Sequence, residues 1–271
     1  VRDRAPFRAD DLEELDRRFL ARAARVVAMA DVVAGARAPN VIGLRHDCDS
    51  AESIETAAKM ARWEAERGYR STYYVLHTSP YWTSPAFPQL LEEIAGYGHE
   101  IGIHSNALAE SLRTGEDPDE ILDRAIARLR ELGYPVRGVA GHGDPFCNRD
   151  RGIDEGTFAN DEQFLECRRV NMGPSDRVIT RGAISRQIAP RPLADFGLEY
   201  DAVWCAYPFP FRISDSGGRW LNPGFGETAA KFAEQLDVEE LPTETDHPRQ
   251  LHMLIHPDWW ARAFAAERLA A

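Results

Sequence analysis

VIGLRHDCDS, residues Val41 to Ser50, opens with an apolar run and closes on a cluster of ionisable side chains. Val41 to Arg45 reads as a buried strand. From Ser50 to Arg67, Ile54, Ala57, Ala58, Ala61 and Ala65 recur at helical spacing until Gly68 stops them. A strand followed by such a helix is a βα unit, and the pattern repeats downstream. Ser71 to Leu76 is the next strand, a helix runs from about Pro88 to Ile94, and Glu100 to His104 is a third strand. Asp117-Pro118-Asp119-Glu120 starts a helix: Asp117 can cap it, Pro118 suits its first position and Glu120 closes a capping box. Ile121, Leu122, Ala125, Leu129 and Leu132 supply its apolar stripe, Gly133 ends it, and Val136 to Ala140 is a fourth strand. Strands return at Ala202 to Cys205 and Leu251 to Ile255.

Strands alternating with helices predict an α/β fold with a largely parallel sheet. At 271 residues the chain is long for one domain but ordinary for a (β/α) barrel. A single-domain barrel is therefore expected over 39–271, preceded by a helical lead-in at 1–38. The polar, Gly- and Pro-punctuated stretch at about 143–200 reads as an insertion over the active face.

Composition narrows the partners. Against 44 acidic residues stand 32 lysines and arginines, a formal charge of -12, which repels phosphate backbones and excludes nucleic acid. Arg17, Arg18, Arg22 and Arg25 are interleaved with apolar residues, as on a solvated helix face. No segment has the roughly 18 apolar residues that span a bilayer. The first 19 residues carry six acids where a signal peptide needs an apolar stretch. A cytoplasmic protein without membrane partners is expected, leaving open a leader removed ahead of Val1. The four cysteines form no C-x-x-C pair and are expected as free thiols.

Parallel α/β folds gather their reactive groups just past the carboxyl ends of strands. That rule selects Arg45-His46-Asp47-Cys48-Asp49, then His104-Ser105-Asn106, then His142-Gly143-Asp144, then His256-Pro257-Asp258. Asp47 and Asp49 lie two apart, so in an extended chain their carboxylates share a side and repel unless a cation or proton lies between them. The alternative has one of them capping the next helix and the other paired with Arg45. Histidines and a carboxylate around an open position are how zinc and similar ions bring a bound water's pKa near neutrality.

GHEIGIHSN (Gly98 to Asn106) resembles the second motif of the polysaccharide deacetylases, the NodB-like superfamily of carbohydrate esterase family four. RHDCDS (Arg45 to Ser50) resembles that family's first motif and LIHPDWW (Leu254 to Trp260) its last, so the likeness spans about Val41 to Trp260. The resemblance implies a distorted (β/α) barrel of the NodB type and one divalent metal ion, zinc or another transition metal. It also implies deacetylation of N-acetylated sugars. Carried over by position, Asp47 matches the general base, Asp49 the metal-binding carboxylate, His104 the first metal histidine and His256 the acid that protonates the leaving amine. Amide cleavage needs that acid, because an amine anion departs poorly unassisted.

One position departs from the pattern. The usual second motif has another histidine four residues after the first, and here that place is Leu108, which cannot bind a metal. His142 is the expected replacement, since it ends the fourth strand and is flanked by Gly141 and Gly143; Asn106 or a water is the alternative. Around these, Arg45 is expected to orient one of the aspartates and Asp258 to orient His256. His46, Asn106, Asp144 and Trp259 stand as substrate-binding or supporting residues. His77 is placed near the pocket, His252 in the core, and His99 and His247 at the surface. Gly224 to Ala229 fits a relaxed dinucleotide fingerprint but follows no strand, and is set aside. The expected activity is hydrolysis of a C–N amide bond in a small or carbohydrate substrate, by a protein that can form homo-oligomers. Its rivals are another reaction on the same metal and fold, or a catalytically silent carbohydrate-binding barrel.

Overall fold

The strands read at Val41, Ser71, Glu100, Val136 and Leu251 recur in the computed structural model, which describes residues 7–35, 40–148, 160, 163–168, 178–202, 211–218 and 251–265. From the N-terminal side the elements are α1 (Ala9–Arg18), β1 (Arg25–Val27), α2 (Met29–Val33), β2 (Val41–Cys48), α3 (Ala51–Glu66), β3 (Thr72–Leu76) and α4 (Phe87–Gly96). Next come β4 (Glu100–Ser105), α5 (Ala107–Thr114), α6 (Pro118–Glu131), β5 (Gly138–Gly141), α7 (Pro145–Asn148) and α8 (Leu165–Arg168). Then follow β6 (Val178–Arg181), β7 (Ile184–Gln187), β8 (Tyr200–Asp201), β9 (Phe211–Ser214) and β10 (Leu251–Ile255). They fall into two compact units, one of residues up to 75, 79–101 and from 208 onward, the other of 76–78 and 102–207.

The first unit is built on β2. One edge of β2 pairs in parallel with β1 and then β3, the other with β10, which in turn pairs with β9. A strand paired on both edges and covered on both faces has no exposed position, and all eight residues of β2 are buried. Leu12, Leu15 and Phe19 pack with Ile42, Leu44, Met60, Trp63, Met253 and Trp260 in one apolar cluster. Burying a side chain of this size contributes about 1.5–3 kcal/mol, so the cluster holds β2 and β10 firmly under the residues at their ends. The serine before α3 starts it cleanly: Ser50 N donates to Ser53 Oγ at 2.7 Å. The lead-in differs from its helical expectation, because Arg25–Val27 joins the sheet as β1.

In the second unit β5 pairs in parallel with β4 on one side and β8 on the other. Gly138 of β5 lies against the Tyr200 ring, which a Cβ there would strike. Asp117 caps α6 as its sequence predicts, accepting from Asp119 N at 2.8 Å and Glu120 N at 3.4 Å. The described parts of the 143–200 insertion hold α7, α8 and the antiparallel hairpin β6–β7. The strand expected at Ala202 to Cys205 is not found in the one described residue of that stretch: β8 is Tyr200–Asp201, Ala202 lies in a turn, and residues 203–205 lie outside the described residues. So do His247 and the glycines of the set-aside fingerprint. The class read from the sequence, a parallel α/β fold of the distorted (β/α)-barrel kind, is the one these strands build. No described helix is long and apolar enough to cross a membrane.

Candidate functional site

In the first unit the end of β2 carries Asp47 and, just beyond it, Asp49. Arg45 lies two residues before Asp47 on the same strand face, and its guanidinium forks onto the carboxylate: Nε to Oδ1 at 3.1 Å and Nη2 to Oδ2 at 2.5 Å. Both side chains are buried. Arg45 thus orients Asp47 rather than Asp49.

Strand β10 pairs with β2 in a register that sets Ile255 opposite His46, so His256 follows at the same end of the sheet. Asp215, just past β9, holds His256 on two sides. Its carboxylate accepts from His256 N at 3.0 Å through both oxygens and from Nδ1 at 2.6 Å, and also takes Trp260 Nε1 at 2.8 Å. Burial opposes charge on this ring, but the Asp215 carboxylate, helped by Asp49 and Asp47, outweighs it and raises His256 to about 10. The imidazolium so held presents Nε2 4.0 Å from Asp49 Oδ2. Asp258 is therefore not the residue that orients His256. Burial, with the neighbouring Asp49 and Asp215 carboxylates, instead raises Asp258 to about 7, against the pull of His256. Nothing in the sequence around Asp215 marked it; its parallel strand pairing alone brings it there.

His46, consecutive with Asp47, faces the other way. Its Nε2 meets Glu64 Oε1 at 2.7 Å and its ring stacks on Tyr73, 4.3 Å between centroids. Ser71 and His99 complete that buried group, with His99 Nδ1 2.9 Å from Ser71 Oγ and Nε2 2.9 Å from Ala61 O. His46 thus belongs to a core network, not to the substrate side. His99 is likewise buried rather than on the surface, because the strand start beside it and the backbone of α3 supply both its partners. His252 is buried, as expected. Trp259 packs against the apolar cluster.

In the second unit β4 and β5 lie in register with His104 opposite Ala140. His104 Nδ1 donates to Ala140 O at 2.9 Å, which fixes the tautomer and leaves Nε2 with its lone pair. That nitrogen lies 3.2 Å from His142 Nδ1, with the two rings edge-on at 81°. Two imidazole nitrogens bound about 2.0–2.1 Å from one tetrahedral ion stand roughly 3.3 Å apart, so the pair fits a shared divalent cation. His77 Nε2 accepts from Asn106 N at 2.9 Å. Burial, then the neighbouring His104 and His142, lower His77 to about 3, so its ring is neutral at ordinary pH.

Asn106 and Asp144 bond to each other at 2.9 Å, and Asn106 Nδ2 also reaches Thr78 Oγ1 at 3.1 Å. Asn106 Oδ1 accepts from Asn160 at 3.0 Å, which occupies the oxygen that an alternative metal ligand would need. Asp144 takes Arg113 Nη2 at 2.5 Å and caps the turn at Phe146 N. Burial raises its pKa, but Arg113, Asn106 and the Phe146 amide prevail and hold it below the usual carboxylate range. Leu108 is buried in an apolar cluster with Ala109, Leu112, Cys147, Ile179 and Ile188, so the side chain in the departing position packs against the β6–β7 hairpin. Cys48 and Cys147 are buried and not disulfide-bonded.

No family model and no curated protein matches the chain. Among solved structures it is similar to the catalytic domain of a peptidoglycan N-acetylglucosamine deacetylase from Eubacterium rectale, over 88% of this chain and 87% of that one, with 13% identity and a TM-score of 0.45. A CE4 family pseudoenzyme from Bacillus anthracis matches over 84% of this chain and 58% of its own, at 12% identity and a TM-score of 0.40. The chitin deacetylase of the fungus Colletotrichum lindemuthianum matches over 42% of this chain and 51% of its own, at 17% identity and a TM-score of 0.30. The chain thus spans about half the length of that enzyme.

Proposed function

We propose that this protein is a metal-dependent hydrolase of a non-peptide C–N amide bond that deacetylates an N-acetylated sugar or a similar small compound. One observation carries the reading: the paired strands β2 and β10 end in a carboxylate gripped by Arg45 and an imidazolium gripped by Asp215. A base and an acid fixed in those charge states are what amide hydrolysis asks for. Asp47 accepts the proton of the attacking water, and Arg45 keeps its oxygens aimed. His256 holds a proton on Nε2 through neutral pH and delivers it to the departing amine, which leaves uncharged. Asp215 keeps the ring oriented and charged until that transfer.

The cofactor in this reading is one divalent ion, zinc or another transition metal, with Asp49, His104 and His142 as ligands. Such an ion supplies Lewis acidity and lowers the pKa of a bound water. The His104 tautomer and the His104–His142 spacing support it. The substrate is small or a carbohydrate, the protein works in the cytoplasm, and copies can associate.

A catalytically silent barrel is the second reading, favoured by the apolar packing of Leu108 where the family's second motif has a histidine. Acetate release from N-acetylglucosamine and its oligomers separates the two. The proposal expects release that requires added metal and falls at least about 100-fold in Asp47→Asn and His256→Ala. Release that is absent from wild type with every divalent metal and N-acetyl substrate supplied contradicts it.

A further inference from the structure

Asn160 belongs to the polar insertion, yet it is wholly buried and every polar atom of its side chain is used. Its Oδ1 accepts from Leu108 N at 3.1 Å and Ala109 N at 3.4 Å, in the first turn of α5. The residue in the capping position of α5, Asn106, makes no such bond with its own side chain, so Asn160 caps that helix from 54 residues away. Its Nδ2 donates to His142 O at 2.8 Å and to Asn106 Oδ1 at 3.0 Å, with Cys147 Sγ at 3.6 Å. The partners decide which end of the amide is which, since two are N–H donors and two are oxygen acceptors.

These bonds have a consequence for His142. Its N donates to Ser105 O at 2.8 Å, and its O accepts from Asn160 Nδ2 and from Asp144 N at 2.9 Å. With both backbone groups held, the ring keeps little freedom beyond its own side-chain torsions. Through Asn106, the same amide is also linked to the N–H that His77 accepts.

We propose that Asn160 is the positioning residue of the rewired metal centre: it fixes the backbone of His142 so that the ring meets His104, in place of the helix-borne histidine that Leu108 displaces. This rests on the metal reading above. The residue departing from the family pattern and the residue compensating for it are then joined directly, Leu108 N to Asn160 Oδ1 and Asn160 Nδ2 to His142 O.

Asn160→Asp removes the two donated bonds while keeping the cap of α5, leaving a carboxylate facing His142 O and Asn106 Oδ1. Zinc affinity of the full chain, from competition with a chromophoric chelator, should weaken about 10-fold or more, the scale for residues supporting a metal ligand. The visible spectrum of the cobalt form should change with it, and the melting temperature of the metal-free protein should fall, because a buried carboxylate then faces two oxygens. Asn160→Ala, which adds no charge, should show the same loss of affinity together with a lower melting temperature. A folded variant of either kind with wild-type affinity and an unchanged cobalt spectrum overturns the assignment alone. A wild-type chain that binds neither zinc nor cobalt overturns the metal reading and the assignment together.

Discussion

Asp47 and His256 of the first unit and the histidines of the second are held by opposite means. In the first unit each is clamped by a countercharge: Asp47 by Arg45 and His256 by Asp215. In the second unit they are held by neutral groups: His104 by a backbone carbonyl, His142 by its own peptide bonds and the Asn160 amide, and His77 by a backbone N–H. The difference follows the chemistry each set can do. An imidazole that acts as the acid must be charged before it acts, whereas a metal-binding imidazole must be neutral with its lone pair exposed. Asp47 and His256 each face a countercharge, whereas His104 and His77 face uncharged backbone groups, with Asp144 nearby paired to Arg113.

The comparison breaks most visibly at Asp215. Asp215→Asn removes the countercharge, and burial then pulls His256 from about 10 back toward or below its ordinary value. Turnover at neutral pH should fall by about 100- to 10,000-fold, with the high-pH limb of the kcat profile moving down in pH. The same shift bears on stability. A histidine whose folded pKa is raised stabilises fully below about pH 6.5 and loses that contribution as pH rises through about 10. Denaturant midpoints of the metal-free wild type should drop across that window, and those of Asp215→Asn should stay flatter.

Arg45→Met leaves a buried carboxylate without its guanidinium and should cost about 3–5 kcal/mol in chemical denaturation, less if Asp47 takes up a proton. In the second unit the sharpest test is Leu108→His. Because Leu108 packs into the cluster under the hairpin, the new imidazole should lose about 2–4 kcal/mol of stability and add no metal affinity. Tighter zinc binding in that variant would contradict the account of His142. The smallest effect is an absence: the His77 ring of metal-free protein, followed by NMR, should show no titration between pH 5 and 8. A midpoint near 6.5 would place it outside the neutral set.

The parts of this contrast legible in the sequence were those with periodic neighbours. β2, α3 and α6 announce themselves through apolar spacing and caps, and the rule about strand ends picks out Asp47, Asp49, His104, His142 and His256. The parts that stayed hidden depend on partners far along the chain. β1 is three residues between helical stretches and becomes a strand only because β2 offers an edge. Asp215 sits in a polar turn and reaches His256 only through the pairing of β9 with β10. His99, flanked by glycine and glutamate, reads as a surface residue until Ser71 and Ala61 enclose it. Asn160 lies in a stretch with no pattern at all, and its role comes from five contacts that no local spacing encodes.

Metal content tests the central claim most directly. Wild type, His104→Ala and His142→Ala, each dialysed with zinc and then freed of excess, should give about one ion per chain for wild type and almost none for either variant by elemental analysis. A wild type that retains no ion, or a His142→Ala that retains as much as wild type, would contradict the account.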